Sequence, residues 1–488
     1  MDLRLIYDDT TPAAASIRAL IGIETFGSLI FRRRTLCDRM QAAAQEASLP
    51  PPVEMRSADD WTALLRQVDV GEWTADAVLI CSSNAVPTID EAALVTFLRQ
   101  AKHSPVNLHI PAKGGSSHSG WLLLFGPQFH AYLRKRVAGD VAGFFDQHKT
   151  SLSPVHDRLS LVDLDNEVML LDYLSGALDA RFFNAIVREP YAITKKSTDR
   201  AKLKREFAFY GLLPPLMQTY FVMPFDWADD GKHASYRMQR LFVPDVALQW
   251  LHGAFTPAEF DRLLEQVFHF LEVRSERRVT PDEARRHFDA LYVTKVVERV
   301  EQLTAHKDYP SIEPLLRAVC GDVHALKDRY LKLLNGARKK FALDRLVIGH
   351  GDLCFSNMLY SKSAQLLQLI DPRGAESQDD LYVDPYYDVA KLSHSIQGGY
   401  DHINHDMFDI EVNEAMSLDL NLDRPRPQWA SAMFVQKLER SGFDPYLVRL
   451  CEASLFISML PLHMDRPRKV LGFAINANSI LDELQASS

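Results

Sequence analysis

Cysteine offers no framework here. The five cysteines, Cys37, Cys81, Cys320, Cys354 and Cys451, are scattered without a C-x-x-C pair, which argues against both a disulfide scaffold and a zinc ribbon. Free, mostly buried thiols are expected, with Cys354 a small packing residue between Leu353 and Phe355. Positive charge is not in excess either: 55 basic against 64 acidic side chains give a net charge of -9. A whole-surface attraction to nucleic acid or anionic lipid is thereby excluded, and no nucleic-acid partner is expected. Met1-Asp2-Leu3-Arg4 opens no apolar core of signal-peptide length, and apolar stretches such as Trp121 to Phe125 are too short to span a bilayer, so no membrane insertion and a cytoplasmic location are expected. Internal repeats and low-complexity tracts are also lacking.

What is present is the balance of an ordinary globular protein, 47% apolar and 24% charged. At 488 residues the chain exceeds the usual growth of one core, so two or three domains are expected. Leu3 to Tyr7, Ala77 to Cys81 and Trp121 to Phe125 read as strands, with helical patterns from about Ala13 and over Asp90 to Ala101. Alternation of strand and helix predicts an α/β domain over residues 1–155.

The character changes after the polar stretch His148 to Pro154. Phe182 to Arg188 and Tyr191 to Lys195 read as two strands around a Glu189-Pro190 turn, Asp199 to Leu213 as a helix stopped by Pro214-Pro215, and Tyr220 to Phe225 and Ser235 to Phe242 as two more strands. A small β-rich lobe is expected over residues 165–243 and a mainly helical lobe over 244–488, with long helices at Pro257 to Arg274 and Val323 to Leu343. Inside the helical region lies one island with two short strand-like runs, Leu346 to Ile348 and Leu366 to Ile370.

That island reads Ile348-Gly349-His350-Gly351-Asp352-Leu353-Cys354-Phe355-Ser356-Asn357, and then Leu369-Ile370-Asp371-Pro372-Arg373-Gly374. Phosphoryl transfer asks little of a protein: a carboxylate to orient a hydroxyl and accept its proton, and oxygen ligands to hold Mg²⁺ on the phosphates. Asp352 and Asn357 keep the five-residue spacing of a kinase catalytic loop with His350 two residues ahead, and Asp371 ends the next apolar strand, where a kinase places its metal-gripping aspartate. Asp352 is the candidate base, and Asn357 and Asp371 are the candidate metal ligands.

With its following segment Val383-Asp384-Pro385-Tyr386-Tyr387-Asp388, this motif resembles the aminoglycoside phosphotransferase and choline kinase family, although Val383 stands where that family has Gly. The resemblance implies an α+β bilobal protein-kinase-like domain, a hydroxyl-bearing small molecule as acceptor, ATP or GTP as donor, and Mg²⁺. It also implies that Asp388, with His350, braces the catalytic loop. Ile370 to Gly374 with Asp384 to Tyr400 is similar to a bacterial branch associated with capsular and other surface polysaccharides, which implies a sugar, polyol or glycan precursor as acceptor. Arg373, Tyr400 and Asp401 are candidate acceptor contacts.

A kinase site also needs a cation on the nucleotide phosphates, held by a helix glutamate. Lys195 or Lys196 can serve, with Glu206 as the glutamate; adjacent strand residues face opposite ways, so only one lysine can face the cleft. The resemblance favours Lys195, directly after Thr194, while pairing of Glu206 with Lys202 along its own helix is the alternative. The small lobe has no G-x-G-x-x-G, and Arg188-Glu189-Pro190-Tyr191 is the expected phosphate-covering turn. Tyr236 to Leu241 resembles the strand entering a hinge, which implies nucleotide-base contacts near Gln239 and Leu241. His402 and His405 with Asp406 are only a fragment of a zinc site.

In the N-terminal third, Asp8-Asp9-Thr10 fails the two-aspartate pattern of haloacid-dehalogenase phosphatases, because Thr10 stands where the second aspartate belongs. Asp8 to Met40, with Arg32-Arg33-Arg34, is faintly similar to the start of sugar-phosphate nucleotidyltransferases but lacks their glycine-rich loop. A nucleotidyltransferase-like or Rossmann-like domain that binds rather than reacts is expected. The readings to be separated are a small-molecule kinase, a pseudokinase scaffold and a bifunctional kinase/nucleotidyltransferase.

Overall fold

The computed structural model describes residues 2–88, 91–148, 151–154, 159–175, 184–338, 344–413 and 418–486. Two compact units divide the chain: one takes residues 1–179 with His252–Ala254, the other 180–251 with 255–488.

The first unit is built on a mixed sheet with strand order Val53–Met55, Leu3–Asp8, Ala77–Ser82, Gly120–Phe125, Leu108–Lys113, Leu161–Asp163, Ala85–Pro87, and Ser153–Pro154 also joins Leu108–Lys113. Leu3–Asp8 runs parallel to both its neighbours, whereas Gly120–Phe125 is antiparallel to Ala77–Ser82 and to Leu108–Lys113. Ala77 to Cys81 is buried throughout, as a central strand covered on both faces requires, and this accounts for its unbroken apolar run. Helices Leu36–Glu46 and Ala58–Asp69 start at reciprocal capping boxes, Thr35 with Asp38 and Ser57 with Asp60.

The second unit opens with a four-stranded antiparallel sheet ordered Asn184–Arg188, Ala192–Ser197, Ala234–Gln239, Pro224–Asp229. Helix Arg200–Leu212, capped by Asp199, buries Leu203, Glu206 and Phe209, one face at helical spacing with a carboxylate in its middle. The rest is mainly helical. Two corrections to the expected strands arise here. The Tyr220-to-Phe225 run does not start a strand until Pro224, because Phe221 and Val222 instead bridge to Leu369. The last strand ends at Gln239 rather than Phe242. Phe182 and Phe183 lie outside the described residues, as do residues 339–343 at the end of the helix expected to reach Leu343.

The island is a three-stranded sheet of Glu276–Arg278, Arg345–Ile348 and Tyr382–Val383 next to a hairpin of Met358–Ser361 and Leu366–Leu369. The helical core includes Pro445–His463, which is long and apolar enough by length and composition to cross a membrane and exceeds the apolar stretches weighed in the sequence. It is a core element: 67% of its most apolar window is buried in the fold, and its fully buried Glu452 is paired with Arg449 and accepts a hydrogen bond from Ser393.

Candidate active site

Three backbone-level constraints assemble the island. Hairpin pairing sets Met358 opposite Leu369, and beyond that pair the Ile370 amide donates to the Asn357 carbonyl at 3.0 Å. Asn357 and Asp371 therefore sit at neighbouring ends of one hairpin. The chain then turns sharply: Asp371 has φ 54 and Gly374 φ 85, the left-handed region that Asp tolerates and Gly prefers. Gly374 passes so close to the Arg200–Leu212 helix that an added Cβ would lie 2.7 Å from the Arg205 carbonyl carbon and 2.8 Å from the Glu206 amide. Gly374→Ala is expected to lower stability by about 1–3 kcal/mol, read as a lower denaturant midpoint at unchanged m.

His350 ties the loop of residues 349–357 to this turn. Its buried ring lies at 2.9 Å through Nε2 from the Ile370 carbonyl and at 3.1 Å through Nδ1 from the Asp352 amide. The backbone N–H must donate to Nδ1, so the proton resides on Nε2. Burial holds the imidazole below its ordinary pKa, which keeps this neutral tautomer in place. Phe221 stacks on the ring at 5.7 Å, so the residues that decline to form a strand instead pack against the loop.

Helix Tyr386–Ile396 holds the loop from the other side with three residues on one face, at positions i, i+3 and i+7. Asp388 accepts from the His350 amide at 2.9 Å and the Gly351 amide at 2.8 Å. Its charge meets Arg274 at 3.3 Å with neither side chain more than 2% exposed. Ser395 Oγ accepts from the Phe355 amide at 3.2 Å. Between them, Lys391 Nζ reaches Asp352 Oδ1 at 2.8 Å.

Asp352 thus has one oxygen on Lys391 and the other on the Asn357 side-chain amide at 3.1 Å, while the same amide donates to the Asp352 carbonyl at 2.9 Å. Its side chain is still 43% exposed, so it remains open to a reactant. Enclosure raises the carboxyl pKa, but Lys391, His350 and Asn357 together hold it below the ordinary aspartate value. Because the folded pKa is depressed, the Lys391–Asp352 attraction stabilises the fold above the ordinary aspartate value and fades as pH falls through the depressed one. Lys391→Met is expected to move the acid limb of the pH–rate profile upward, because more of Asp352 is then protonated at a given pH.

On the small-lobe side, Lys195 Nζ meets Glu206 Oε2 at 2.6 Å and Asp371 Oδ1 at 2.9 Å. Burial opposes the ammonium charge, and Asp371, Tyr236 and Glu206 outweigh it, so its pKa is raised. Lys195 is 7% exposed; the alternative Glu206–Lys202 pair also exists, at a looser 3.9 Å. Asp371 remains 47% exposed.

Arg373 is exposed, donates its backbone N–H to the His350 carbonyl at 2.9 Å, and lays its aliphatic stem over Gly351, where a Cβ would meet it at 2.5 Å. Gln239 is exposed at the end of its strand opposite Ala192, and Leu241 is half-buried beyond it. Tyr191, in the expected phosphate-covering turn, is 86% exposed, and Glu189 is held there by Arg237. Tyr400 stacks on His394 at 4.2 Å. Asp401 is wholly buried, and burial pushes its pKa up to about 7.

Lys391 and Arg274 went unassigned in the sequence. The signal for Lys391 was its position three residues after Asp388, on the helix face that turns toward the loop. Among the described residues no three His, Cys, Asp or Glu side chains gather as a metal cage, and this includes His402, His405 and Asp406. Asn357 and Asp371 supply hard oxygen donors at one hairpin end, which suits a cation that takes its remaining ligands from phosphate and water. Chemically, the arrangement offers an oriented carboxylate, a buried ammonium and two such donors.

No protein-family model and no curated protein matches the chain. Among solved structures it is similar to spectinomycin phosphotransferase in complex with ADP and spectinomycin (12% identity, 63% of this chain and 91% of that one, TM-score 0.35). It is also similar to choline kinase from Cryptosporidium parvum (12% identity, 64% and 88%, TM-score 0.32) and to Plasmodium vivax ethanolamine kinase (10% identity, 72% and 93%, TM-score 0.34). At overlaps this loose, the chemistry of the site rests on its own side chains.

Proposed function

We propose that the second unit is a kinase-like phosphotransferase moving the γ-phosphoryl group of ATP or GTP, with Mg²⁺, to a hydroxyl of a small molecule. The observation that carries this reading is that Asp352, Asn357 and Asp371 are linked through one hairpin and the His350 ring, with Lys195 bridging Asp371 and Glu206.

In this reading the acceptor hydroxyl donates its hydrogen bond to Asp352. The new bond forms between the acceptor oxygen and the γ-phosphorus, the bond from that phosphorus to the bridging oxygen breaks, and the nucleoside diphosphate leaves with the electron pair. The hydroxyl proton passes to Asp352. A carboxylate held below its ordinary pKa is a weak base, which suits a loose transition state in which orientation matters more than early proton removal. Lys391 keeps that carboxylate ionised and fixed, and Lys195, oriented by Glu206, offsets phosphate charge. Asn357 and Asp371 would hold the Mg²⁺, which when bound neutralises charge on the phosphates.

The finer assignment of the acceptor to sugars, polyols or other surface-glycan precursors is supported by the resemblance of residues 370–374 and 384–400. Calorimetry separates the enzyme from a scaffold: saturable nucleotide binding that requires Mg²⁺ and weakens about tenfold or more in Asp371→Asn is expected. Absence of binding would instead favour the pseudokinase scaffold, a reading motivated by the turn at residues 188–191 carrying no glycine.

A further inference from the structure

The first unit contains a cavity of about 450 Å³, within the range of small-molecule sites. It opens where strands end: Asp8 and Ser82 are the paired last residues of two parallel strands, and Asp163 is the last residue of a third. The carboxyl edge of such a sheet is where α/β folds bind ligands. A glycine- and serine-rich loop, Gly114 to Gly120, covers one side, laid so tightly on Asp163 that a Cβ on Gly115 would lie 2.2 Å from its carboxylate.

The polar groups at the base are already arranged. Asp163, 6% exposed, accepts from Asn84 at 2.9 Å, from the Asp165 amide at 3.0 Å and from Ser119 at 2.6 Å. Asp8, 5% exposed, accepts from Thr10 Oγ1 at 2.6 Å and from Arg136 at 2.9 Å. Among the described residues Arg136 is the only lysine or arginine in the lining, and its Nη2 is engaged by Asp8 and Thr10, whereas three aspartates line the space. The described lining is therefore net negative, which disfavours a phosphorylated ligand. A bare divalent cation is also a poor fit, because Asp163 already accepts three hydrogen bonds and Asp8 is paired with Arg136, and the described residues gather no three carboxylate, histidine or cysteine side chains as a cation site.

What remains for a ligand is a set of neutral groups on Ser82, Asn84, Ser116 and His118 that both donate and accept, together with apolar surface that includes Phe145, on which the His118 ring packs at 4.8 Å. We infer that this cavity binds an uncharged, polyhydroxylated small molecule, a monosaccharide, cyclitol or linear polyol, with its hydroxyls on the polar side and its C–H face on the apolar wall. The inference does not rest on the phosphotransferase reading, since no residue of the second unit enters it.

The test uses the full chain carrying Asp352→Asn, so that turnover at the other site is silenced. Hydrogen exchange is followed with D-glucose, myo-inositol, ribitol, glucose 1-phosphate and UTP. Protection by at least one uncharged probe, confined to segments 114–120 and 163–166 and exceeding that of the charged probes by about tenfold in apparent affinity, is expected. Ser116→Trp, placed on an exposed loop residue, is expected to remove that protection while leaving the exchange of the sheet strands unchanged. Preferential protection by glucose 1-phosphate or UTP would overturn the inference. So would protection confined to the second unit, or none by any uncharged probe.

Discussion

Asp352→Asn is expected to lower kcat by about 10²–10⁴-fold while leaving nucleotide affinity within about threefold of the starting protein. The substitution keeps the shape and the hydrogen bond from Asn357, but it removes the charge that Lys391 is paired with and the lone pairs that accept the acceptor's proton. Steady-state rates with saturating nucleotide measure the first number, and calorimetry the second. Full activity would remove Asp352 from its assigned role. Lost nucleotide affinity would mean that the residue acts on the donor instead of on the hydroxyl.

The second large effect is on stability. Asp388→Ala is expected to cost about 3–5 kcal/mol, because it leaves Arg274 charged and unpaired in the interior and orphans two buried amides of the loop that carries Asp352. Both partners are enclosed, at 2% and 0% exposure, and the amides of His350 and Gly351 have been seen only on Asp388. Urea unfolding measures the loss, and a change below about 1 kcal/mol would contradict the account. Pairing Arg274→Met with Asp388→Leu should recover part of the stability, because the penalty comes mostly from the uncompensated charge. The recovered protein should remain nearly inactive, since an apolar side chain cannot hold the two amides.

The parts of the site that could be read from the chain are those that are local in it. Asp352 and Asn357 belong to one loop, and Asp371 lies two residues beyond the strand paired with the one that follows that loop, so spacing and turn chemistry sufficed. Lys195 against Glu206 was also within reach, because a strand and the next helix are neighbours in sequence. Lys391 was not, because its role depends on how the Tyr386–Ile396 helix rotates as it docks, which only the buried face at Asp388, Lys391 and Ser395 reveals. The burial of Asp401 was hidden for the same reason: it directly follows the partly exposed Tyr400, yet the one-residue step on the helix carries it fully inside.

In the fold, strands with continuous apolar runs were legible, but their order was not. The antiparallel insertion of Gly120–Phe125 between Ala77–Ser82 and Leu108–Lys113 is a tertiary choice that leaves no local signature. Tyr220 to Phe225 looked like one strand because its residues suit a pleated surface. Phe221 is used instead to stack on His350, and tertiary packing overrides the local preference.

The measurement that tests the central claim most directly is transfer of γ-labelled phosphate from Mg²⁺-ATP or Mg²⁺-GTP to a panel of sugars and polyols, read by mass spectrometry of the acceptors. The account predicts an acceptor that gains one phosphoryl group with the wild-type chain and gains almost none with Asp352→Asn. Label that appears only as inorganic phosphate, or an acceptor modified equally by both proteins, would contradict it.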